Sequence, residues 1–433
     1  MSDTTATITG PEQARRAGVS ALDYLRSRGF VYDVTDEQGL GEAFAAGPVT
    51  LYNGYDATAT SLHIGNLVSI MMIANLQRFG HQPIALAGGG TTMIGDPSGK
   101  DETRQLLTVE AIDQNLVGIK QQFARYLDFE GARFGDNPPA LLLNNADWLL
   151  GLALIPFLRD IGRHFSVNEM LAAETYRVRL ETTGLSFIEF NYRVLQSYDF
   201  LHLFRTERCI LQTGGSDQWG NITAGVDLIR RADGGKAYGL VTPLIATSDG
   251  RKMGKSEAGA IWLDPAQTSP FDYYQFWINT TDEDVARFLR IYTFLPNEQI
   301  DDLTSVTGEA LRTAKRVLAH EATALTHGNA AADEAAAASR ALFSRERGST
   351  PDAAMLAGDA TVELALSGPI TIAELFVQAG LTASRNEARR LAQQGGLSLD
   401  DARVPDADAL FEPTTEVVIL RAGKKRMKYV RLI

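Results

Sequence analysis

Short apolar runs punctuate the first half of the chain, and each is broken off by glycines or polar residues. Residues 48–55 (PVTLYNGY), 82–87 (QPIALA) and 140–144 (ALLLN) lack the alternation of a half-exposed strand and read as strands buried on both faces. Helical periodicity fills the intervals between them. Strand, turn, helix and strand in succession predict a doubly wound α/β unit with a parallel sheet, over roughly 20–240. Ligands in such sheets bind beyond the carboxyl ends of the strands, so the polar residues just after strands are the ones to examine.

About 148–190 reads as an insertion rich in helical patterns. Its segment LLGLALIPFLRDIG is more apolar than a surface helix needs, so it is either a buried core helix or a subunit interface. From about 262 to 345 the pattern is helical throughout, and 345–365 is poor in large apolar side chains, as a linker is. A compact unit follows: two helices (IAELFVQAG and SRNEARRLAQQG), then short strands ending in RAGKKRMKYVRLI.

Composition narrows the class. A chain of 433 residues exceeds one ordinary core, and 45% hydrophobic with 22% charged residues is a globular balance. No apolar run is long enough to span a bilayer, and the first residues carry no signal pattern, so a cytoplasmic protein is expected. One cysteine and six scattered histidines leave no metal-ligand spacing. A net charge of −12 argues against indiscriminate nucleic-acid binding but not against a local basic patch. Such a patch exists: between Arg421 and Arg431 lie six basic residues and no acidic one.

The chemistry sits in five stretches. Ser61-Leu62-His63-Ile64-Gly65-Asn66 follows the first strand and opens a helix, where the positive end of the dipole attracts phosphate. Gly65 leaves room for a nucleotide, and Asn66 can bond a ribose. Far downstream, Lys252-Met253-Gly254-Lys255-Ser256 forms a basic loop suited to a triphosphate. Gly95 to Lys100 suggests a Walker loop but fails its pattern, since Ile94 stands where the first glycine belongs. Asp96 there offers a carboxylate to an ammonium group. Tyr192, Gln196 and Asp199 share one helix face among apolar neighbours, as if lining a polar ligand's pocket. Gly214 and Gly215 precede Asp217 and Gln218, either as a tight turn with a helix cap or as a close approach to a ligand.

HIGN early and KMGKS late, in that order, match the two signatures of the class I aminoacyl-tRNA synthetases. Through LYNGYDATATSLHIGNL, IGDPSGKDETR, EFNYRVLQSYDF, LQTGGSDQWGNITAG and DGRKMGKS, the chain closely resembles the bacterial tyrosyl-tRNA synthetases, nearly end to end. The resemblance implies a Rossmann-like catalytic domain over 19–245 after a disordered tail (1–18), with a dimerisation insertion at about 148–190. A lysine loop and helical anticodon-side domain (246–345), a linker (346–368) and a ribosomal-protein-like RNA-binding domain (369–433) complete the expected order.

The resemblance also implies roles. Tyr52 and Asp199 bind the phenolic hydroxyl, and Asp96, Tyr192, Gln196, Gln212 and Gln218 position the rest of the tyrosine. His63, Thr58, Lys100, Arg104, Lys252 and Lys255 stabilise charge on the phosphates. Asn53, Gly54, Asp56, Gly65, Asn66, Gly214, Gly215, Asp217, Met253 and Ser256 surround the nucleotide. Arg385, Arg389, Arg390, Lys424, Lys425, Arg426 and Lys428 meet tRNA. Asn66 replaces the second histidine of the commoner motif, and an amide can still serve a ribose. ATP with Mg2+ enters as substrate, and no tightly bound cofactor, dedicated metal site, membrane or DNA partner is expected of the homodimer. The competing readings are a tryptophan-activating relative, a non-tRNA nucleotidyltransferase, and a duplicated synthetase kept only for RNA binding.

Overall fold

The computed structural model describes residues 9–96, 108–172, 174–182, 184–248, 250, 253, 255–256, 259–344, 361–366, 368–413, 417–423 and 426–433. They form two units: Met1–Leu62, Asn66–Ile245 and Arg287–Asp301 in one, and His63–Gly65, Ala246–Ala286 and Asp302–Ile433 in the other. Chain continuity therefore does not follow the expected domain order at two places, 63–65 and 287–301.

The first unit is built on a six-stranded sheet ordered β1-β6-β5-β2-β3-β4. The strands are β1 (Asp33–Val34), β2 (Thr50–Tyr55), β3 (Gln82–Ala87), β4 (Leu141–Asn144), β5 (Cys209–Gly215) and β6 (Tyr238–Thr242). All neighbours run parallel except β1 against β6. Parallel strands bury both faces, which is why β3 and β6 read as unbroken apolar runs. The order reverses between β2 and β5, so the switch point lies between these two strands. Register slips by one residue where Thr50 faces Cys209 but Leu51 faces Leu211, and this sets Gln212 opposite Tyr52.

Helix Phe187–Glu207 is fixed at its start by a capping box, Ser186 with Glu189, and packs Phe200, Leu201 and Leu203 into the core beside Tyr52. The tail expected over 1–18 is in part a helix, Gly10–Arg16, closed by a Thr9–Glu12 capping box. The amide of Gly10 donates to the Phe294 carbonyl at 2.7 Å, which ties the tail down.

Across the insertion, the reading as a core helix fails for this chain. Helix Leu154–Asp160 buries no residue, and Ile155 is 72% and Phe187 81% exposed.

In the second unit, β7 (Lys255–Ser256) pairs with β8 (Gly259–Ala260), and helices Pro270–Ile278, Arg312–His327 and Asn329–Ser344 follow. The C-terminal domain carries β9 (Thr361–Leu364), β10 (Ile370–Thr371), β11 (Leu397–Leu399), β12 (Ala402–Arg403), β13 (Leu410–Phe411), β14 (Val417–Ala422) and β15 (Arg426–Leu432). Residues 361–364, assigned to the linker from sequence, instead add a parallel edge strand along β15. Ile419, Met427 and Tyr429 of this sheet cover Phe271 of the helical region.

Candidate active site

Tyr52 reaches the switch point from β2 and is 1% exposed, its ring 5.4 Å from that of Phe200. Its hydroxyl finds no hydrogen-bond partner among the described residues, and neither does Oε1 of Gln212 on β5. Burial raises the Tyr52 phenol well above its ordinary value, and the charge of Asp199 raises it further. The two groups are thus neighbours in the same buried region. A buried polar atom left without a partner costs roughly 1–3 kcal/mol, so this pocket fits a ligand that brings its own polar group.

Asp199 is 2% exposed and held from both sides. Trp148 donates its indole N–H to Oδ1 at 2.8 Å, and Asn145 donates to Oδ2 at 2.9 Å while also bonding Thr91 Oγ1. Burial pushes the carboxyl up to about 7, against these two bonds, which favour the charged form. Asn145 and Trp148 were not singled out from sequence. The polar end of the run ALLLN was the available signal, and it stops at Asn144, one residue short of Asn145 and well short of Trp148.

A second polar group sits beside the first. Gln218 donates to Asp96 Oδ2 at 2.7 Å, and Asn221 donates to Oε1 of both Gln196 (3.1 Å) and Gln218 (3.2 Å). Gln196 also donates to Gln218 Oε1 at 3.3 Å. The structure brings Asp96, Gln196 and Gln218 together, and adds Asn221 and the buried Arg193. Tyr192 is buried on the same helix.

Nearby, Asn53 is buried, and its Oδ1 accepts from the Thr213 hydroxyl across β2 and β5 at 3.1 Å. Gly54, within β2, is exposed, and beyond the strand's end Asp56 is half-buried and Thr58 exposed. Gly214 and Gly215 end β5, and Asp217 and Gln218 lie in the short 3-10 turn Ser216–Gln218.

In the other unit, His63 accepts the Gly65 amide on Nδ1 at 3.0 Å, which places the proton of a neutral ring on Nε2. A Cβ on Gly65 would stand 2.7 Å from the His63 ring and 3.2 Å from the Met253 carbonyl oxygen. A side chain at Gly65 would therefore crowd the His63 ring and the Met253 carbonyl. His63 bridges to Trp262, and Met253 is buried. Asn66 opens the helix Ile64–Arg78. Lys100, Arg104, Lys252, Lys424 and Lys425 lie outside the described residues, as do the side chains of Lys255 and Ser256.

On the C-terminal domain, Arg385, Arg389 and Arg390 are exposed on helix Arg385–Gln393. Arg385 pairs with Glu374, Arg389 with Asp408 at 2.9 Å, and Arg426 with Glu387 at 3.0 Å. Lys428, expected to face phosphate, is turned inward. Its side chain is 11% exposed and its ammonium bonds Asp272 at 3.0 Å.

Known proteins resemble the chain over both units. The family described as tRNA synthetases class I (W and Y) matches residues 45–344, and a Tyrosine--tRNA ligase SYY-like C-terminal domain matches 356–430. A tyrosine–tRNA ligase of Desulfosudis oleivorans is 50% identical over 430 residues, 94% of this chain and 98% of that protein. One from Paracoccus denitrificans is 48% identical, covering 96% and 99%. The crystal structure of a C-terminally truncated Aspergillus nidulans mitochondrial tyrosyl-tRNA synthetase matches 76% of this chain and 96% of its own, at 31% identity and TM-score 0.67. A tryptophanyl-tRNA synthetase from Aeropyrum pernix matches with TM-score 0.54 at 16% identity, which shows that this fold serves more than one amino acid.

Proposed function

Because the chain belongs to the tyrosine–tRNA ligases of the class I tRNA synthetase family, we propose that its pocket at β2 and β5 selects tyrosine through Tyr52 and Asp199. The family reaction joins tyrosine to tRNA with ATP. The observation that carries the reading is the pair of orphaned buried atoms, Tyr52 Oη and Gln212 Oε1, beside a carboxylate fixed by Asn145 and Trp148. A phenol donates to Asp199 and accepts from Tyr52. Phenylalanine leaves the Tyr52 hydroxyl unpaired and offers Asp199 no further donor, and an indole presents no hydroxyl at that place.

In this reading the tyrosine ammonium lies among Asp96, Tyr192 and Gln196. Its carboxylate oxygen bonds to the α-phosphorus of ATP as the bond to pyrophosphate breaks. That nucleophile is already ionised at neutral pH, so the site needs alignment and charge stabilisation more than a base. The Nε2–H of His63 is a donor suited to phosphate oxygens, and the lysine loop with Lys100 and Arg104 is assigned to the same charge. Magnesium comes with ATP as its counter-ion. Tyrosyl then passes from the adenylate to a ribose hydroxyl of the tRNA terminal adenosine, which loses its proton as AMP leaves. Arg385, Arg389, Arg390 and Arg426 exchange their carboxylate partners for RNA phosphates.

The apolar face of the insertion, with Leu154, Ile155, Leu158, Phe187 and Ile188 exposed, is assigned to a second copy of the chain. No helix among the described residues is long and apolar enough to cross a membrane, and the protein is assigned to the cytoplasm. The test is ATP–pyrophosphate exchange with tyrosine, phenylalanine and tryptophan in parallel. Exchange with tyrosine alone is expected; equal exchange with either competitor overturns the pocket's assignment.

A further inference from the structure

Behind the group formed by Asp96, Gln196 and Gln218 lies an arginine that no part of the proposed reaction uses. Arg193 is 6% exposed, and its guanidinium carbon stands 4.5 Å over the ring of Tyr176 from the insertion. Its Nε donates to Asn221 Oδ1 at 3.4 Å. Gly220 makes its space: a Cβ there would come within 2.8 Å of Nη2. Burial pulls the guanidinium down, while Tyr176 and Asp96 draw it back up, so Arg193 and Asp96 feel one another's charge.

The chemistry of the two ends fixes everything between them. An arginine can only donate and a carboxylate can only accept. Asn221 must therefore turn its oxygen to Arg193 and its NH2 to the oxygens of Gln218 and Gln196. Gln218, with its oxygen so engaged, turns its NH2 to Asp96. The Gln218 oxygen is filled by Asn221 and Gln196, while the Gln196 oxygen keeps a second lone pair as an acceptor. Without the arginine, Asn221 gains the freedom to invert. Gln218 stays held by Asp96, but Gln196 is then oriented from one end alone and can turn its NH2 where an ammonium needs an oxygen.

We propose that Arg193 is a positioning residue for recognition of the substrate ammonium, acting through Asn221 to set the orientation of Gln196. The proposal rests on the reading of Asp96 and Gln196 as the ammonium site. Arg193 touches no substrate atom; it decides which atoms do.

The probe is 3-(4-hydroxyphenyl)propanoate, which keeps the phenol and carboxylate of tyrosine and lacks the amine. Dissociation constants of tyrosine and of this analogue are measured on the full-length parent protein and on Arg193→Met, Asn221→Asp and Asp96→Asn. Asn221→Asp is nearly isosteric but cannot donate, so it reverses the relay. Tyrosine is expected to weaken about tenfold or more in the first two variants, with the analogue changed less than about twofold. Gly220→Ala, which crowds Nη2 while keeping every donor, shifts the same ratio by a smaller factor and serves where a core variant does not fold. Equal weakening of both ligands, or no change in either, overturns the relay if Asp96→Asn still weakens tyrosine alone. If Asp96→Asn leaves the ratio unchanged, the ammonium site itself is misassigned and the relay falls with it.

Discussion

Tyr52 and Gln212 are register partners on adjacent parallel strands, and each buries a polar atom that no described residue satisfies. Side chains at paired positions of neighbouring strands share a face, so both atoms open on the same side of the sheet. That side is where Asp199 lies close enough to raise the Tyr52 phenol. The cost at the Tyr52 hydroxyl is borne by the free protein and is relieved by a ligand oxygen at that point.

Tyr52→Phe removes one of these atoms without changing the shape of the ring. The KM for tyrosine is expected to rise about tenfold, a loss of about 1.4 kcal/mol, while phenylalanine is unaffected. Exchange assays with the two amino acids measure the narrowing of discrimination directly. An unchanged ratio means that the hydroxyl is not read by Tyr52.

Asp199 titrates near 7 in the free protein because burial outweighs the bonds from Asn145 and Trp148. Only the ionised form accepts from both of these donors and from a phenol as well, so tyrosine is expected to bind more weakly as pH falls below about 7. Trp148→Phe deletes the donor to Oδ1 and raises the carboxyl further, which moves the acidic limb of kcat/KM to higher pH. For stability the sign is opposite to that of a salt-bridged aspartate. The folded value lies above the unfolded one, so stability is highest below about pH 4 and is lost as pH rises through about 7. The total is about 4 kcal/mol at most. Asp199→Asn should therefore melt higher than the parent at pH 8 and close to it at pH 4.

His81 behaves the other way on the acid side. It is 4% exposed, stacks against Phe44 at 4.4 Å, and accepts the Val49 amide on Nδ1. Burial and the charge of Arg15 depress it to about 4. A depressed histidine stabilises the fold above the unfolded value near 6.5, and that contribution is lost as pH falls towards 4, by about 3 kcal/mol at most. Urea midpoints compared at pH 7.5 and 5 should fall less for His81→Phe than for the parent.

Ile155→Glu and Phe187→Glu place charges on the exposed apolar face of the insertion. Sedimentation velocity is expected to show a dimer for the parent and a monomer for either variant, with little change in far-UV circular dichroism. A monomeric parent refutes the assignment of this face.

Arg390 and Lys428 separate an RNA contact from a structural one. Arg390→Gln is expected to lower tRNA affinity and to flatten its salt dependence by a slope of about 0.7 to 0.9. Lys428→Met should leave the salt slope unchanged, since its ammonium is committed to Asp272. The reverse pattern, read by filter binding over a salt series, would return Lys428 to the RNA surface.

Much of the site was legible because the relevant information is local. Helical spacing put Tyr192, Gln196 and Asp199 on one face, and the helix Phe187–Glu207 bears them so. The strands around 50–55, 82–87 and 141–144 were readable as apolar runs because parallel strands need no alternation. The fate of the insertion was not readable, since an apolar helix has the same sequence whether covered by its own chain or left exposed. Lys428 was hard to read for a related reason: a run of cations shows charge but not which of its members a carboxylate elsewhere in the chain engages.

Local composition and spacing determined which segments become strands and helices, and which side chains line one helical face, because periodicity is a property of consecutive residues. Tertiary structure alone decided what those side chains meet. The one-residue slip between β2 and β5 sets Gln212 beside Tyr52, and without it Gln212 would face away. Asn145 and Trp148 reach Asp199 across more than fifty residues of chain, and Arg193 sets the orientation of Gln196 through Asn221. Register and hydrogen-bond direction are relations between distant segments, and they acquire values only when packing brings those segments together.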